Sequence, residues 1–303
     1  MSAPRWDIEG RDWPNRETSR FVRSGLLEWH VQVMGPDDGA LGVDAQVLLL
    51  IHGTGAATHS WRDVMPLLAQ HFTVIAPDMP GHGFTRGRIA GGQSLPGIAR
   101  ALGDLLVKLD LGPPAVIVGH SAGAAIGLRL VLDTALDAPV IGLNPALMPF
   151  PGLAARLFPA MARALFVNPF AAMIFAKSAS ADGEVGRFLA KSTGSRLDAR
   201  GIDLYGRLFR TSEHCAGAIG MMANWDLETL STELPSVAAP VLLVHGDNDS
   251  AIPGDAVARA ARQLPHGELR NLPGLGHLAH EEDPQALAAI ISDFAAQHAA
   301  ITA

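Results

Sequence analysis

The sequence predicts an α/β fold built on a mostly parallel β-sheet with helices on both faces. Short, continuously apolar runs alternate with segments of helical periodicity, the pattern of strands that are buried on both faces. Consecutive strand–helix units of this kind form parallel sheets through right-handed crossovers. The alternation stops at about residue 146 and resumes at about residue 235. We therefore expect residues 146–234 to be a helical insertion between two strands of the sheet.

The individual elements follow from local patterns. Residues 21–24 and 27–34 predict a hairpin that turns at Gly25, and Ser60 is expected to cap a helix over residues 61–70. The predicted central strands are 47–51, 72–76, 115–119, 139–143 and 241–244, with an edge strand at 267–272. Further helices are predicted at 95–109, from Ser121 onwards, at 203–214, 221–230 and 256–263, and from Asp283-Pro284.

Composition limits the class of protein. The chain has 303 residues, 48% of them hydrophobic, and a formal net charge of −7. These values predict one large domain, or one domain with an insertion, and argue against a nucleic-acid-binding surface. Cys215 is the single cysteine, so no internal disulfide can form and the chain fits a reducing compartment. With no signal peptide and no long apolar run, we expect a cytoplasmic protein without a transmembrane segment.

One stretch carries a chemical signature. Residues 119–123 read Gly-His-Ser-Ala-Gly, directly after an apolar strand and before a helix rich in small residues. In such a Gly-x-Ser-x-Gly elbow the serine sits in a strained turn that exposes its hydroxyl above the sheet, and the glycines avoid collisions with neighbouring backbone. The alternative is a chance match in a glycine-rich chain. The strand–turn–helix context favours Ser121 as a nucleophile.

Two further candidates follow later strands. Asp249 comes after the strand at 241–244, and His277 lies in a loop after the strand at 267–272. Serine, then acid, then histidine is the chain order of one known catalytic triad, in which the imidazole takes the serine proton and the carboxylate orients the imidazole. Asp247 is a rival for the acid, and both aspartates could instead form a turn. We prefer Asp249 because its loop lets it project past the strand end.

Backbone N–H groups are expected to stabilise an oxyanion. Ala122 follows the nucleophile, and Thr54 lies in the glycine-rich loop after the first central strand, which begins His52-Gly53. These are the two positions that supply the oxyanion hole next to such an elbow. The alternative for this loop is a plain turn. Gly53 and His120 are also candidates for substrate contacts.

These motifs together resemble the α/β-hydrolase fold family. The resemblance rests on His52-Gly53, Gly246-Asp247-Asn248-Asp249, Gly276-His277, the elbow and the run Asp78-Met79-Pro80-Gly81-His82-Gly83. It implies an eight-stranded, mostly parallel sheet with a helical cap: a core of residues 1–145 and 235–303 and a cap of 146–234. Dehalogenases and epoxide hydrolases of this family carry an aspartate nucleophile, so Ser121 disfavours both activities.

A narrower resemblance is to the magnesium-chelatase accessory proteins of bacteriochlorophyll biosynthesis. It rests on four short stretches, at residues 11–16, 27–32, 58–63 and 84–85. The resemblance implies a role beside magnesium insertion into protoporphyrin IX in photosynthetic bacteria, with magnesium-chelatase subunits as partners and no defined reaction of its own.

The insertion predicts an apolar ligand site. Residues 147–175 are rich in Phe and Met and broken by prolines, which suits either a cap packed on the core, an adaptable pocket or a membrane-surface contact. Phe150 and Trp225 are candidate pocket residues, although a core role would also explain Trp225. A tetrapyrrole is one possible ligand. No cofactor is predicted. The run 277–281, His-Leu-Ala-His-Glu, mimics a metal-binding spacing, but we reject it as a metal site because His277 is better used as the base and no further ligand is evident.

Three functions compete at this stage. The first is a serine hydrolase that cleaves an ester or acyl bond of a small hydrophobic substrate. The second is a non-hydrolytic accessory protein that binds a tetrapyrrole or the chelatase. The third is a carbon–carbon hydrolase of ring-fission products, which would use the same three residues.

Overall fold

The computed structural model describes residues 2–36, 46–89, 92–134, 136–149, 168 and 170–298. In this part of the chain nine strands form one sheet: β1 Ser19–Ser24, β2 Leu27–Met34, β3 Val47–Ile51, β4 Thr73–Pro77, β5 Arg86–Gly87, β6 Pro114–His120, β7 Val140–Leu143, β8 Val241–Gly246 and β9 Gly267–Leu272.

The sheet is mostly parallel, as predicted. Its order is β1-β2-β4-β3-β6-β7-β8-β9, and every pair from β4 to β9 is parallel. The hairpin of β1 and β2 joins antiparallel at one edge, and β9 forms the other edge. The eight strands on this path match the eight that were expected. The two-residue β5 is an addition that pairs with the start of β2.

Helices cover both faces of the sheet. In the described residues they are α1 Val64–Leu68, α2 Leu95–Leu109, α3 Ala122–Asp133, α4 Ala171–Ser178, α5 Glu184–Thr193, α6 Ala199–Phe209, α7 Ser212–Ala223, α8 Leu227–Glu233, α9 Gly254–Gln263, α10 Ala279–Glu282 and α11 Pro284–His298, with 3₁₀ turns at Arg16–Thr18, Thr58–Trp61 and Leu234–Ser236. None of these helices is long and apolar enough to cross a bilayer.

Several helix boundaries agree with the sequence pattern. The α2 helix has its predicted bounds, and the Asp283 carboxylate accepts a hydrogen bond from Ala286 N–H at the start of α11. The prediction for Ser60 is wrong: Ser60 lies inside the Thr58–Trp61 turn, and its hydroxyl donates to the buried Glu281 carboxylate over 2.6 Å. A buried charge competes for this hydroxyl more strongly than an exposed helix end does.

The described residues between β7 and β8 form five helices, α4 to α8, and no strand. The single helix predicted over 203–214 is wrong, because α6 ends at Phe209 and α7 starts at Ser212. The helix predicted over 221–230 is likewise two helices. Asp226 caps the second of these helices: its side chain accepts hydrogen bonds from two amides in the first turn of α8, so a new helix starts there.

The continuous apolar strands are explained by two cores, one on each face of the sheet. Leu49 and Ile51 of β3 belong to the core beneath α2 and α3, whereas Leu48 and Leu50 belong to the core beneath α1 and α11. Alternate side chains of one strand therefore enter opposite cores. The loops that follow β3, β6, β7 and β8 emerge together at the carboxyl edge of the sheet, where open α/β sheets bind ligands.

Candidate active site

Ser121 forms the turn between a central strand and a helix. β6 ends at His120 and α3 begins at Ala122, and the Ser121 backbone has φ 52° and ψ −115°. A positive φ is rare for a residue with a side chain. The Ser121 N–H donates to Leu143 O over 2.9 Å, and Ser121 O accepts from Ala146 N–H over 3.1 Å. These bonds to β7 and its following loop hold the strained backbone in place.

Both glycines of the elbow are required by close backbone contacts. A Cβ at Gly119 would lie 2.4 Å from Gly123 O, and a Cβ at Gly123 would lie 2.1 Å from Ile51 O. No side chain fits at either position without moving backbone. The elbow is thus packed tightly against the end of β3.

Asp249 and His277 form a hydrogen-bonded pair. Asp249 Oδ2 lies 2.8 Å from His277 Nδ1, and Asp249 Oδ1 accepts from the N–H groups of Ala251 (2.7 Å) and Ile252 (2.9 Å). The Asp249 side chain has 0% exposure. Burial alone would raise the pKa of the Asp249 carboxyl, but its hydrogen bonds, the one from His277 above all, hold that pKa below its ordinary value. The carboxylate is therefore charged at neutral pH and orients the imidazole.

Asp247, the rival acid, lies outside this pair. Its side chain is exposed, and its backbone N–H donates to Leu272 O over 3.0 Å at the end of β9. The structure brings Asp249, and not Asp247, to the imidazole.

Asn144 is a site residue that the sequence analysis missed. It follows β7, has a positive φ of 46°, and donates from Nδ2 to Asp249 Oδ2 over 2.8 Å. Its backbone N–H donates to Val244 O over 2.7 Å, which fixes the residue between two strands. The available signal was its position, since it is a polar residue directly after a buried strand, like the other candidates.

His120 is hydrogen-bonded to the histidine loop, which is the loop after β9 that carries His277. Because a carbonyl can only accept, His120 donates from Nε2 to His277 O, over 2.9 Å. The two rings are 4.7 Å apart, and His120 also lines the cavity beside Ser121. Burial lowers the pKa of the His120 imidazole well below its ordinary value, so the ring is neutral.

The loop after β3 is held by His52. His52 Nδ1 donates to Gly53 O over 2.8 Å, and Nε2 accepts from Met79 N–H over 2.8 Å. A Cβ at Gly53 would lie 2.8 Å from His120 Nδ1 and 3.0 Å from Ser121 Cβ. Gly53 therefore packs against the elbow and does not line the cavity.

Thr54 and Ala122 occupy the expected oxyanion positions. Among contacts between described residues, neither amide donates a hydrogen bond. Ala122 is the first residue of α3, where an N–H has no acceptor within the helix. The Thr54 hydroxyl contacts Met221 Sδ over 3.1 Å, and Thr54 lines the same cavity as Ser121. Both amides are thus available to a ligand beside the serine.

Ser121 and His277 line one cavity of about 110 Å³. Their side chains are not hydrogen-bonded to each other in this arrangement, although both are described. Catalytic hydrogen bonds are often long without substrate and tighten when it binds. The cavity lining mixes apolar and polar side chains and comes largely from α5, α6 and the loops after β3 and β9: Thr54, Ala56, His120, Ser121, Phe188, Leu189, Ser192, Thr193, Tyr205, Phe209, His277 and Leu278.

Trp225, a predicted pocket residue, is not part of this lining. Trp225 packs against the main core cluster instead of facing the cavity, so the structure favours the core role for it. Phe150 lies outside the described residues. The described residues contain no group of three or more potential metal ligands. His280 and Glu281 instead hydrogen-bond Ser60, and Glu281 also pairs with Arg62.

Comparisons with known proteins agree with this fold. The profile of the family described as "Alpha/beta hydrolase family" matches residues 48–290. The magnesium-chelatase 30 kDa subunit of Rhodobacter capsulatus is 42% identical over 283 residues, covering 93% of this chain and 96% of that protein. An uncharacterized hydrolase of Bacillus subtilis, YugF, is 27% identical over 91% of this chain and 96% of its own length. The structure of the epoxide hydrolase CorEH superposes with a TM-score of 0.77 at 22% identity, covering 92% of this chain and 99% of that one.

A fold with a serine elbow and a buried Asp–His pair at one sheet edge defines a class of hydrolase-like proteins. The chain belongs to the alpha/beta hydrolase family and, within it, to the family of proteins related to the magnesium-chelatase 30 kDa subunit.

Proposed function

We propose that this protein is a serine hydrolase that cleaves an ester or acyl bond. The observation that carries the proposal is the 2.8 Å contact between Asp249 and His277 at a cavity that also exposes Ser121. Ser121 is the nucleophile, His277 the general base and then the general acid, and Asp249 the orienting carboxylate. Thr54 and Ala122 are the oxyanion donors.

The steps follow from the atoms present. His277 Nδ1 donates to Asp249, so Nε2 is free to accept the Ser121 proton as Oγ attacks the acyl carbon. The amides of Thr54 and Ala122 stabilise the resulting oxyanion. His277 then protonates the leaving alcohol, which departs and leaves an acyl-enzyme. Water, deprotonated by His277, releases the acid and restores the hydroxyl.

Residues 146–234 are proposed to form a cap over a core of residues 1–145 and 235–303. Phe188 and Leu189 of α5 and Phe209 of α6 line the same cavity as Ser121 and support this division. The cavity of about 110 Å³ is far smaller than the roughly 300–1,000 Å³ of pockets that enclose drug-sized ligands. Its size fits a short hydrophobic acyl group and is too small to enclose a tetrapyrrole macrocycle.

A fluorophosphonate probe tests the mechanism. The parent protein is expected to form a stable adduct at Ser121, identified by mass spectrometry, and Ser121→Ala is expected to form none. His277→Ala should label at least about 10³-fold more slowly. Equal labelling of the parent and His277→Ala would refute the mechanism. Turnover of a dienone ring-fission product in the same preparation tests the carbon–carbon hydrolase alternative.

A second candidate function is an accessory role beside magnesium chelatase, supported by the 42% identity to the Rhodobacter capsulatus subunit. In this role the protein binds a tetrapyrrole or a chelatase subunit. Fluorescence titration with protoporphyrin IX and co-purification with chelatase subunits are the direct measurements. A Ser121→Ala strain that still makes pigment would favour binding over hydrolysis.

An exposed apolar surface supports contact with a membrane or an apolar partner. Phe170, Met173 and Ile174, at the start of α4, are 61%, 48% and 64% exposed. We propose a cytoplasmic protein that associates with the membrane surface through these side chains. Co-sedimentation with lipid vesicles, compared between the parent and Ile174→Asp, tests this association.

A further inference from the structure

The proposed cap contacts the histidine loop with its own polar groups. At the end of α5, Thr193 O accepts a hydrogen bond from His277 N–H over 2.8 Å, and Ser195 Oγ accepts from Leu278 N–H over 2.8 Å. Ser195 is 3% exposed. Gly194 lies between them with φ +69°, and a Cβ there would lie 2.0 Å from Asn248 O in the acid loop, which is the loop after β8 that carries Asp249. One short segment of the cap therefore packs on both loops of the Asp–His pair.

Through His214 of α7, the cap contacts the oxyanion loop, which is the loop after β3 that carries Thr54. His214 Nε2 donates to Gly55 O over 3.0 Å, and Nδ1 accepts from Gly83 N–H over 3.1 Å. The ring is 1% exposed, and burial lowers the pKa of His214 to about 4, so it is neutral and can make both bonds. His214 thus links the loop that carries Thr54 to the loop after β4.

Two other residues on the same face of α7 rest on these loops. A Cβ at Gly217 would lie 1.9 Å from Gly81 O, and Met221 Sδ contacts the Thr54 hydroxyl. Residues 214, 217 and 221 have the spacing of one helix face. The helix is therefore seated directly on the backbone next to the proposed oxyanion donor.

We propose that Ser195 and His214 are positioning residues for catalysis, which rests on the proposed hydrolase function. Each directs a polar group at the backbone of a residue adjacent to a reacting one: Ser195 at Leu278, which follows His277, and His214 at Gly55, which follows Thr54. An apolar side chain would pack a cap on a core equally well, but it would not fix these amides and carbonyls. The cap thus completes the geometry of the active site in addition to covering it.

The experiment compares fluorophosphonate labelling rates of the full-length parent, Ser195→Ala, His214→Ala and His214→Gln, together with kcat and KM for p-nitrophenyl acetate. Because displacement of a catalytic group by about 1 Å can cost about 10²-fold in rate, His214→Ala is expected to label about 10²-fold more slowly, with a fall in kcat and little change in KM. His214→Gln should recover most of the rate, since an amide can donate to Gly55 O and accept from Gly83 N–H. Ser195→Ala should lower the rate about 10-fold or more.

Two cap variants serve as controls. Leu230→Ala removes a side chain of α8 that is 1% exposed and belongs to the main core cluster, and Glu213→Gln changes an exposed neighbour of His214. Leu230→Ala is expected to lower the melting temperature while it labels at the parental rate at 25 °C.

The outcomes separate this inference from the proposed function. A parent that does not label at Ser121 refutes the hydrolase proposal, and the positioning roles fail with it. A parent that labels, with folded His214→Ala and Ser195→Ala proteins labelling equally fast, refutes the positioning roles alone. Ser195→Ala, which removes one hydroxyl, decides the matter should His214→Ala fail to fold.

Discussion

Asn144 donates a hydrogen bond from Nδ2 to Oδ2 of Asp249 over 2.8 Å, and the same oxygen lies 2.8 Å from His277 Nδ1. The other carboxylate oxygen is held by two backbone amides. The Asp249 carboxylate is thus fixed at both oxygens, so the imidazole has one acceptor in one orientation. Asn144 joins the end of β7 to the acid loop after β8.

Replacing Asn144 with aspartate tests this link. Asp, like Asn, tolerates the positive φ at this position, so the backbone should be retained. A second carboxylate against Asp249 would repel it, and the two would share a proton, which raises one carboxyl pKa. We expect Asn144→Asp to lower kcat/KM at least about 10-fold at pH 7, with partial recovery at higher pH. An unchanged pH–rate profile for ester hydrolysis would show that Asn144 does not influence the pair.

The choice of acid is tested by a matched pair of variants. Asp249→Asn preserves the shape of the side chain but favours the wrong histidine tautomer, a change that lowers kcat about 10⁴-fold in serine proteases. Asp247→Asn alters an exposed side chain two residues earlier and should leave kcat within about 2-fold. Steady-state ester hydrolysis by both proteins decides between them. Comparable losses in the two variants would contradict the assignment of Asp249.

The sequence predicted the fold because its strands are locally distinct. Strands buried on both faces require continuous apolar runs. A Cβ at either elbow glycine would lie within 2.4 Å of backbone, so the close packing of the elbow is visible in the sequence as the Gly-x-Ser-x-Gly pattern. The pairing of Asp249 with His277 was expected for a similar reason, since loops at the carboxyl edge of parallel strands converge.

Other features depend on packing that a local pattern does not contain. Asn144 contacts Asp249, which lies in the loop after the neighbouring strand β8. The local sequence predicts Ser60 as a helix cap, because its bond to Glu281 spans 221 positions and no local pattern reveals it. The cavity residues Phe188 and Phe209 lie on α5 and α6, and their presence in the same cavity as Ser121 depends on how these helices pack. Trp225 was equally plausible by composition, but it packs against the core.

Two glycine substitutions are predicted to have opposite effects on stability. Gly123→Ala places a Cβ 2.1 Å from Ile51 O, which is backbone and cannot move alone, so we expect a loss of at least about 3 kcal/mol. Gly103 lies within α2, and Gly103→Ala places a Cβ 3.5 Å from Leu130 Cδ1 of α3, which is an ordinary contact. This substitution should raise the free energy of unfolding by about 0.5–1 kcal/mol. Urea denaturation of both variants measures the difference. Similar changes in the free energy of unfolding would contradict the packing of the elbow.

Stability should fall as the pH is lowered from about 6.5 to about 4. Burial lowers the pKa of His214 to about 4 and that of His280 to about 3, from 6.5. In this window the unfolded chain binds protons that the folded protein does not, so the free energy of unfolding decreases with falling pH. The lowered pKa of His214 alone should reduce the free energy of unfolding by roughly 3 kcal/mol across this window, at about 1.4 kcal/mol per pKa unit. Glu281, whose pKa is raised by burial, acts in the opposite sense.

Denaturant titrations at several pH values measure this dependence. The parent should lose several kcal/mol between pH 7 and pH 4.5. His214→Gln should show a shallower dependence, because it lacks one buried titrating group. A free energy of unfolding that is constant across this range would contradict the neutral, buried state of these histidines.

Phe188 is predicted to limit the length of the acyl group. It lines the cavity, is 45% exposed, and packs edge-on against Phe175 and Phe209 with ring centroids 5.5 and 5.9 Å apart. Phe188→Ala should open the cavity toward solvent and admit a longer chain. Since one methylene in an apolar pocket changes kcat/KM by about 10-fold or more, the octanoate-to-acetate ratio for p-nitrophenyl esters should rise at least about 10-fold. Phe170→Ala, which removes a 61% exposed ring outside the lining, should leave that ratio unchanged. Equal ratios in the two variants would show that another part of the chain sets the substrate length.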